Sequence, residues 1–145
     1  MIINLKKVNE KATIPTRGSE FAAGYDLYAC IDENITVKSG ETVKIPTGIA
    51  VEIPEGYAGL VYARSGLATK KGLAPANKVG VVDADYRGEI LVFLHNHSDK
   101  DAVIEVSERI AQLVVTPFLS VEFNEVSELS ETVRGEGGFG STGRK

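Results

Sequence analysis

The sequence predicts an all-β domain, a sandwich or barrel of short strands, on three observations. Apolar and polar residues alternate along residues 42–45 and 49–53, which is typical of strands with one buried face. Turn-forming residues separate these segments, as at residues 38–41 and 54–56. Only one short segment reads as a helix. Many short strands joined by turns, with almost no helix, indicate a β-sandwich or barrel.

Three other apolar segments are continuous: residues 59–62, 90–94 and 113–115. Continuous apolar runs of this length predict strands that are buried on both faces. The single helical turn is expected to begin at Ser65 as its capping residue and to end at Gly72.

The size and composition indicate one globular domain of 145 residues, 43% of them apolar and 25% charged. A net charge of -4 without a basic block argues against a protein that coats nucleic acid, although a few arginines suffice for a small anionic ligand. Cys30 is the only cysteine, so an intrachain disulfide is impossible. The beginning of the sequence lacks the apolar region of a signal peptide, and residues 90–94 are too few to span a bilayer. We therefore expect a cytoplasmic protein with no membrane partner.

The C-terminal part of the chain changes character. Apolar residues become sparse from Asn124 onward, and residues 134–143 contain five glycines. Such a segment cannot bury enough surface to fold alone. The sequence thus predicts a β-domain over residues 1–123 and a flexible, glycine-rich arm over residues 124–145, either a loose end or a flap that orders on a ligand.

Two segments suggest metal and phosphate chemistry. In AGYDLYA, small residues precede Asp26 inside an apolar strand. This acid is either a residue at a turn or a hard oxygen ligand for Mg²⁺, directly or through water. In ARSGL, Arg64, Ser65 and Gly66 open the helical turn. A guanidinium, a hydroxyl and free N–H groups suit a phosphate, and the alternative is an ordinary helix start beside a surface arginine.

The segment NKVGVVDADYRGE places Asp83 and Asp85 two residues apart. Both would share one face if the strand were extended, and close carboxylates oppose each other's ionisation, which can tune one toward general-base duty. Residues 86–88 predict a hairpin between two strands. The alternative is an acidic turn that faces solvent.

Two further segments carry polar groups in unusual settings. In ERIAQL, Gln112 stands among apolar neighbours, so it either has a buried partner or faces outward. In RGEGGFGSTG, main-chain N–H groups with Ser and Thr suit phosphate oxygens, Arg134 adds charge and Phe139 suits stacking on a planar ligand. The alternative for this segment is a disordered end. Cys30 and the two histidines are too few for a tetrahedral zinc site.

In their order and spacing, these five segments resemble the five motifs of the trimeric dUTPase family, over residues 14–143. The resemblance implies a jelly-roll-like β-fold and a homotrimer whose sites are shared between subunits. It also implies Mg²⁺-dependent hydrolysis of dUTP to dUMP and pyrophosphate by attack of water on the α-phosphorus. That reaction keeps uracil out of DNA and supplies dUMP for thymidylate synthesis.

The resemblance also implies a role for each matching residue. Asp83 corresponds to the acid that activates water, Asp26 to the acid that helps to hold Mg²⁺, and Tyr86 to the aromatic ring that packs on deoxyribose and excludes a 2′-hydroxyl. The implied phosphate-binding residues are Arg64, Ser65, Gly66, Gln112, Arg134, Gly140 and Ser141. The implied uracil-binding residues are Asn77, Gly80, Val81, Val82, Asp83, Leu91 and Phe139.

One departure from the family pattern is Ser107, where the family often has glycine, and we expect no loss of function from it. Two alternative interpretations place a different function on the same fold. One is a dCTP deaminase-like enzyme, against which the DADYRG segment and the glycine-rich arm count. The other is a non-catalytic nucleotide sensor, against which the presence of Asp26, Asp83 and Arg134 counts.

Overall fold

The computed structural model describes residues 1–138 and confirms an all-β fold with one short helix. Its elements in chain order are β1 (Asn4–Lys7), β2 (Thr16–Arg17), β3 (Tyr25–Tyr28), β4 (Ile35–Val37), β5 (Thr42–Pro46), β6 (Ile49–Glu52), β7 (Tyr57–Tyr62), α1 (Ser65–Lys70), β8 (Leu73–Pro75), β9 (Gly80–Val82), β10 (Leu91–Asn96), β11 (Ala102–Ile104) and β12 (Arg109–Pro117).

The strands form antiparallel sheets whose neighbours are mostly distant in sequence. A five-stranded sheet has the order β2-β3-β12-β7-β9, and a three-stranded sheet has the order β5-β10-β8. Two smaller sheets pair β1 with β6 and β11 with β4. Antiparallel sheets with such long connections are typical of a jelly roll. The long strand β12 lies between β3 and β7 and therefore brings three distant parts of the chain together.

The register of the five-stranded sheet fixes which residues share a face, because directly opposed residues point the same way. Leu113 lies opposite Val61, and Val61 lies opposite Gly80. Leu113 and Val61 are buried in the core. Gln112, one residue along β12, lies opposite Asp26 and therefore points away from that core.

The apolar strands β7 and β10 are not buried on both faces within one chain. The prediction that they are buried on both faces is therefore wrong. In β10, Val92 and Leu94 lie in the core, whereas Leu91 and Phe93 are exposed by 38% and 48%. The alternation is hidden in the sequence because the outward residues are apolar as well. A row of outward apolar side chains is typical of a surface that another chain covers.

Helix α1 begins one residue earlier than the predicted cap implies. Arg64 occupies the N-cap position with an extended backbone, and Ser65 is the first helical residue. The prediction that Ser65 caps the helix is wrong, because the chain leaves β7 extended as far as Arg64. The hydroxyl of Thr69 donates to the carbonyl of Ser65. Gly72, with φ of +67°, follows the C-cap residue as predicted.

Beyond β12, the described residues 118–138 contain no strand or helix. Leu119 and Phe123 are exposed by 87% and 96%, and Val133 is fully exposed. The boundary predicted between residues 123 and 124 stays a prediction, although the last strand already ends at Pro117. Among the described residues, no helix has the length and hydropathy that crossing a membrane requires.

Candidate functional site

The first part of the site is a carboxylate held between two guanidinium groups. Asp26, on β3, is only 8% exposed. Its Oδ1 accepts a hydrogen bond from Nε of Arg64 at 2.7 Å, and its Oδ2 accepts one from Nη1 of Arg109 at 3.3 Å. Charge-assisted bonds of this kind satisfy a buried carboxylate. The cluster as a whole carries one net positive charge, which suits an anionic ligand.

Sequence reasoning missed Arg109 as a member of this cluster. Strict alternation along β12 would place Arg109 on the same face as Ala111, which is fully buried. The register shifts between these two residues, as at a β-bulge, and Arg109 instead lies opposite Tyr28. A bulge reverses the face on which a side chain emerges, and no local feature of the sequence marks it.

Gln112 joins the same face of the sheet. Its Nε2 donates to the carbonyl of Ala63 at 2.9 Å, so the polar residue has the partner that its position demanded. The side chain passes directly over Gly24, where any Cβ would collide with Oε1 of Gln112. The absence of a side chain at Gly24 therefore leaves the space that the side chain of Gln112 occupies.

The start of helix α1 completes this part of the site. Ser65 and Gly66 are exposed beside Arg64, and a Cβ on Gly66 would meet nothing within 4 Å. The first N–H groups of a helix have no partner within the helix. The first, second and fourth segments singled out in the sequence thus converge into one surface with two guanidinium groups, a hydroxyl and N–H donors. We call this surface, formed by Asp26, Arg64, Ser65, Gly66, Arg109 and Gln112, the arginine cluster.

The second part of the site is a cavity of about 280 Å³ at the free edge of β9. It contains every residue of the described chain that was predicted to contact uracil or deoxyribose. These residues are Asn77, Gly80, Val81, Val82, Asp83, Tyr86 and Leu91. We call this cavity the β9 pocket.

The acids near the β9 pocket lie in a turn. The N–H of Tyr86 donates to the carbonyl of Asp83 at 3.1 Å, which closes a β-turn over residues 83–86. Asp83 and Asp85 are both exposed. The prediction that they share the face of an extended strand is therefore wrong, because the chain turns at Asp83, and the coupling of the two carboxylates stays a prediction.

The hairpin predicted at residues 86–88 is also wrong. β9 pairs with β7, whereas β10 pairs with β5 and β8, so the connection between them crosses from one sheet to another. Strong strand segments on both sides of a turn do not reveal which distant strands they pair with. The crossing leaves a gap between the sheets, and this gap is the β9 pocket.

The ring of Tyr86 has a fixed orientation. Its hydroxyl donates to the carbonyl of Glu89 at 2.9 Å. A Cβ on Gly88 would lie 2.5 Å from that hydroxyl oxygen, so the ring folds back over a position that only glycine leaves open. Oε1 of Glu89 in turn accepts from the N–H of Gly48 at 2.7 Å. The wall of the pocket is therefore tied to the body of the protein.

The buried floor of the β9 pocket and the arginine cluster lie on different faces of the five-stranded sheet. Val61 and Val82, on that floor, point into the core, whereas Val81, at the exposed rim of the pocket, lies on the face of the cluster. Asp26 and Gln112 point away from the core by the register described above. The edge strand β9 and the strand β3 are also separated by β7 and β12, a distance of about 14 Å at normal strand spacing.

The remaining predictions are the substrate-binding residues of the arm and the Mg²⁺ ligand Asp26. Arg134 is exposed, and its carbonyl accepts from the N–H of Gly137. Phe139, Gly140 and Ser141 lie outside the described residues. Within residues 1–138, no group of three or more His, Cys, Asp or Glu side chains could hold a metal ion. Asp26 is thus a single carboxylate already bonded to two arginines.

Comparison with known proteins gives consistent matches over the whole chain. The sequence model of the family described as dUTPase matches residues 10–143. The chain is 50% identical over 145 residues to the deoxyuridine 5′-triphosphate nucleotidohydrolase of Hydrogenobaculum sp., with all of both chains covered. It is 49% identical over 141 residues to the enzyme of that name from Syntrophotalea carbinolica, covering 97% of this chain and 96% of the relative.

Solved structures give the same result. The dUTPase of Staphylococcus bacteriophage 80alpha, determined with dUPNHPP, superposes with a TM-score of 0.88 at 32% identity and 98% coverage of both chains. The dUTPase from phage phi11 of S. aureus superposes with a TM-score of 0.80 at 26% identity, covering 91% of this chain and 100% of that one.

Proposed function

The chain belongs to the dUTPase family and hydrolyses dUTP, and we propose that water attacks the α-phosphorus, so that dUMP and pyrophosphate are the products. The observation that carries this proposal is the β9 pocket. It brings together all the described residues that the family resemblance assigns to uracil, deoxyribose and the attacking water. Phosphoryl transfer needs positioning and charge more than covalent help from the protein.

Asp83 is the proposed general base. It lies on the wall of the β9 pocket, where β9 ends, and its carboxylate is exposed. A carboxylate within reach of a water can take its proton as the water attacks. The proton moves to Asp83, the new P–O bond forms at the α-phosphorus, and the bond to the bridging oxygen of the leaving pyrophosphate breaks.

The test of this role uses Asp83→Asn and, as a matched control, Asp85→Asn. Both changes remove one exposed carboxylate from the same turn, and Asp85 does not line the β9 pocket. We expect Asp83→Asn to lower kcat for dUTP by at least about a hundredfold, because the base is lost and the shape is kept. Asp85→Asn should retain kcat. Full turnover by Asp83→Asn would reject the role.

Recognition of uracil is assigned to the main chain of β9. Because β9 is the last strand of its sheet, alternate N–H and C=O groups of Gly80–Val82 point away from β7 and lack a strand partner there. These groups can match the hydrogen-bonding edge of uracil. A site built to hydrogen-bond one base rejects a mismatched base strongly, because buried groups are left unpaired. A tight fit also leaves no space for the 5-methyl group of thymine.

The triphosphate is assigned to the arginine cluster, with Arg64, Ser65, Gly66 and Gln112 as ligands. Arg64 is preorganised by its bond to Asp26, and Gln112 by its bond to Ala63. Donors that are already fixed stabilise the charge that develops in the transition state without the cost of reorganising them.

Mg²⁺ fits this site as a partner of the substrate. Mg²⁺ is usually held by one or two carboxylates together with substrate phosphates, and it keeps several waters. Asp26 offers one carboxylate, whose oxygens already accept from Arg64 and Arg109, so this acid is suited to a bound water of the ion. When bound, Mg²⁺ neutralises charge on the triphosphate and its leaving group.

One nucleotide is proposed to lie between subunits of a homotrimer. Within one chain the floor of the β9 pocket and the arginine cluster are on different faces of the sheet, so a second copy is proposed to bring one of each together. Leu91 and Phe93, which line the β9 pocket and are exposed by 38% and 48%, supply an apolar surface for such a contact at the pocket itself. The arm, with Arg134, Gly140, Ser141 and Phe139, is proposed to close over the bound nucleotide as a lid.

A further inference from the structure

The main chain of the turn that carries Asp83 and Tyr86 accepts two hydrogen bonds from the side chain of Arg87. The carbonyls of Ala84 and Tyr86 both accept from Nη1 of Arg87, at 2.7 and 3.0 Å. A guanidinium Nη has two hydrogens, so one nitrogen can satisfy both carbonyls. The turn over residues 83–86 is therefore closed from inside by its own main-chain bond and held from outside by Arg87.

The other end of this guanidinium reaches a different sheet. Nε of Arg87 lies 3.5 Å from Oε1 of Glu52. Oε2 of Glu52 accepts from Nδ2 of Asn4 at 2.7 Å, and the two residues are directly opposed in the β1–β6 sheet. Neither β9 nor β10 belongs to that sheet. Arg87 thus connects the turn to the body of the protein independently of the strands that flank it.

The connection through Arg87 orients the turn but contributes little to the stability of the fold. The side chains of Arg87 and Glu52 are exposed by 55% and 48%, and exposed ion pairs contribute little to the free energy of folding. A planar guanidinium, however, donates in several fixed directions at once, which a lysine ammonium does not. Arg87 therefore fixes the position of the turn over residues 83–86 and adds little to the free energy of folding.

We propose that Arg87 is a positioning residue that sets the turn bearing Asp83 and Tyr86, an inference that rests on the proposed function. Arg87 does not line the β9 pocket and acts through the carbonyls of Ala84 and Tyr86. Its loss displaces the base, which lowers kcat, and the ring that excludes a 2′-hydroxyl, which weakens the preference for dUTP over UTP. The arginine cluster is on the other side of the sheet, so binding of the triphosphate changes less.

The experiment compares Arg87→Gln, Arg87→Lys and a control, Lys11→Gln, which breaks the exposed Lys11–Asp32 ion pair elsewhere. For each variant, kcat and KM are measured with dUTP and UTP, together with the melting temperature. We expect Arg87→Gln to lower kcat for dUTP by roughly ten- to a hundredfold and to lower the dUTP-to-UTP ratio of kcat/KM. Arg87→Lys should fall between that variant and the wild type, and Lys11→Gln should match the wild type.

An Arg87→Gln protein with wild-type kcat and wild-type nucleotide preference would overturn the inference. If that variant melts much earlier, Glu52→Ala decides, because it removes the acceptor at the far end of the connection and leaves Arg87 in place. A lowered dUTP-to-UTP ratio in Glu52→Ala supports the role, and an unchanged ratio rejects it. A wild-type protein that does not hydrolyse dUTP would refute the proposed function instead, so the two failures are distinguishable.

Discussion

Ser107 holds a backbone conformation that glycine adopts at much lower cost. Its φ is +59°, in a turn closed by a bond from the N–H of Glu108 to the carbonyl of Glu105. The left-handed conformation costs a residue with a Cβ about 1–2 kcal/mol. This turn leads directly into Arg109 and β12. The physical reason for a glycine in the family pattern at this position is therefore the turn rather than the chemistry.

Ser107→Gly should stabilise the protein. Relief of the left-handed strain is partly offset by the larger entropy that glycine brings to the unfolded chain, about 0.4–1 kcal/mol. We expect a net gain of up to roughly 1 kcal/mol, or a few degrees in melting temperature, with kcat unchanged. Ser107→Ala is the control, since it keeps the Cβ and the strain. A Ser107→Gly protein that melts below the wild type would contradict this account.

The pairing of Asp26 with Arg64 and Arg109 could not be predicted from the sequence. Asp26 lies 38 residues from Arg64 and 83 residues from Arg109. Pairing over such separations is decided by the sheet order, which no local pattern encodes. The buried position of Asp26 made a partner necessary, and the sequence alone did not say that the partners are two guanidiniums.

Among the elements, the strands with a polar outward face were predictable and their pairings were not. The alternation at residues 42–45 and 49–53 gives β5 and β6 at the expected places. β6 is not half-buried as predicted, because Ala50 is buried together with Ile49 and Val51. The continuous runs were read as buried on both faces because their outward residues are apolar as well, so the sequence does not show which face is exposed. The predicted hairpin failed for a related reason, since β9 pairs with β7 and not with the next strand along.

The C-terminal arm is predicted to be needed for activity but not for folding. Removing residues 134–145 deletes Arg134 and the glycine-rich segment and leaves every strand of the described fold intact. We expect kcat/KM for dUTP to fall by at least about a hundredfold, because the proposed phosphate ligand Arg134 and the proposed lid are lost. The melting temperature should stay within a few degrees of the wild type. Unchanged turnover by the truncated protein would reject the lid.

At the scale of the whole molecule, the proposed function requires one β9 pocket and one arginine cluster to lie side by side. One chain presents the floor of the β9 pocket and the arginine cluster on different faces of a sheet, with strands β7 and β12 between β9 and β3. With the proposed roles, a monomer would hold only part of each nucleotide. The homotrimer is proposed from the family resemblance, and the exposed apolar residues of β10 and the arm support that proposal.

Mixing two inactive variants tests the shared site. Asp83→Asn damages the β9 pocket, and Arg64→Gln damages the arginine cluster. After the two proteins are unfolded and refolded together in equal amounts, random assembly should leave about one site in four with both parts intact. We expect activity to return to a comparable fraction of the wild type. A mixture as inactive as its components, despite mixed trimers by mass spectrometry, would place the whole site within one chain.

Specific hydrolysis of dUTP can be measured as the release of pyrophosphate. Pyrophosphate release is followed with Mg²⁺ for dUTP, dCTP, dTTP and UTP in parallel. We predict rapid release from dUTP, loss of that release with EDTA, and kcat/KM values for the other three nucleotides lower by at least about a thousandfold. Comparable rates on all four nucleotides, or no release from dUTP, would contradict the account.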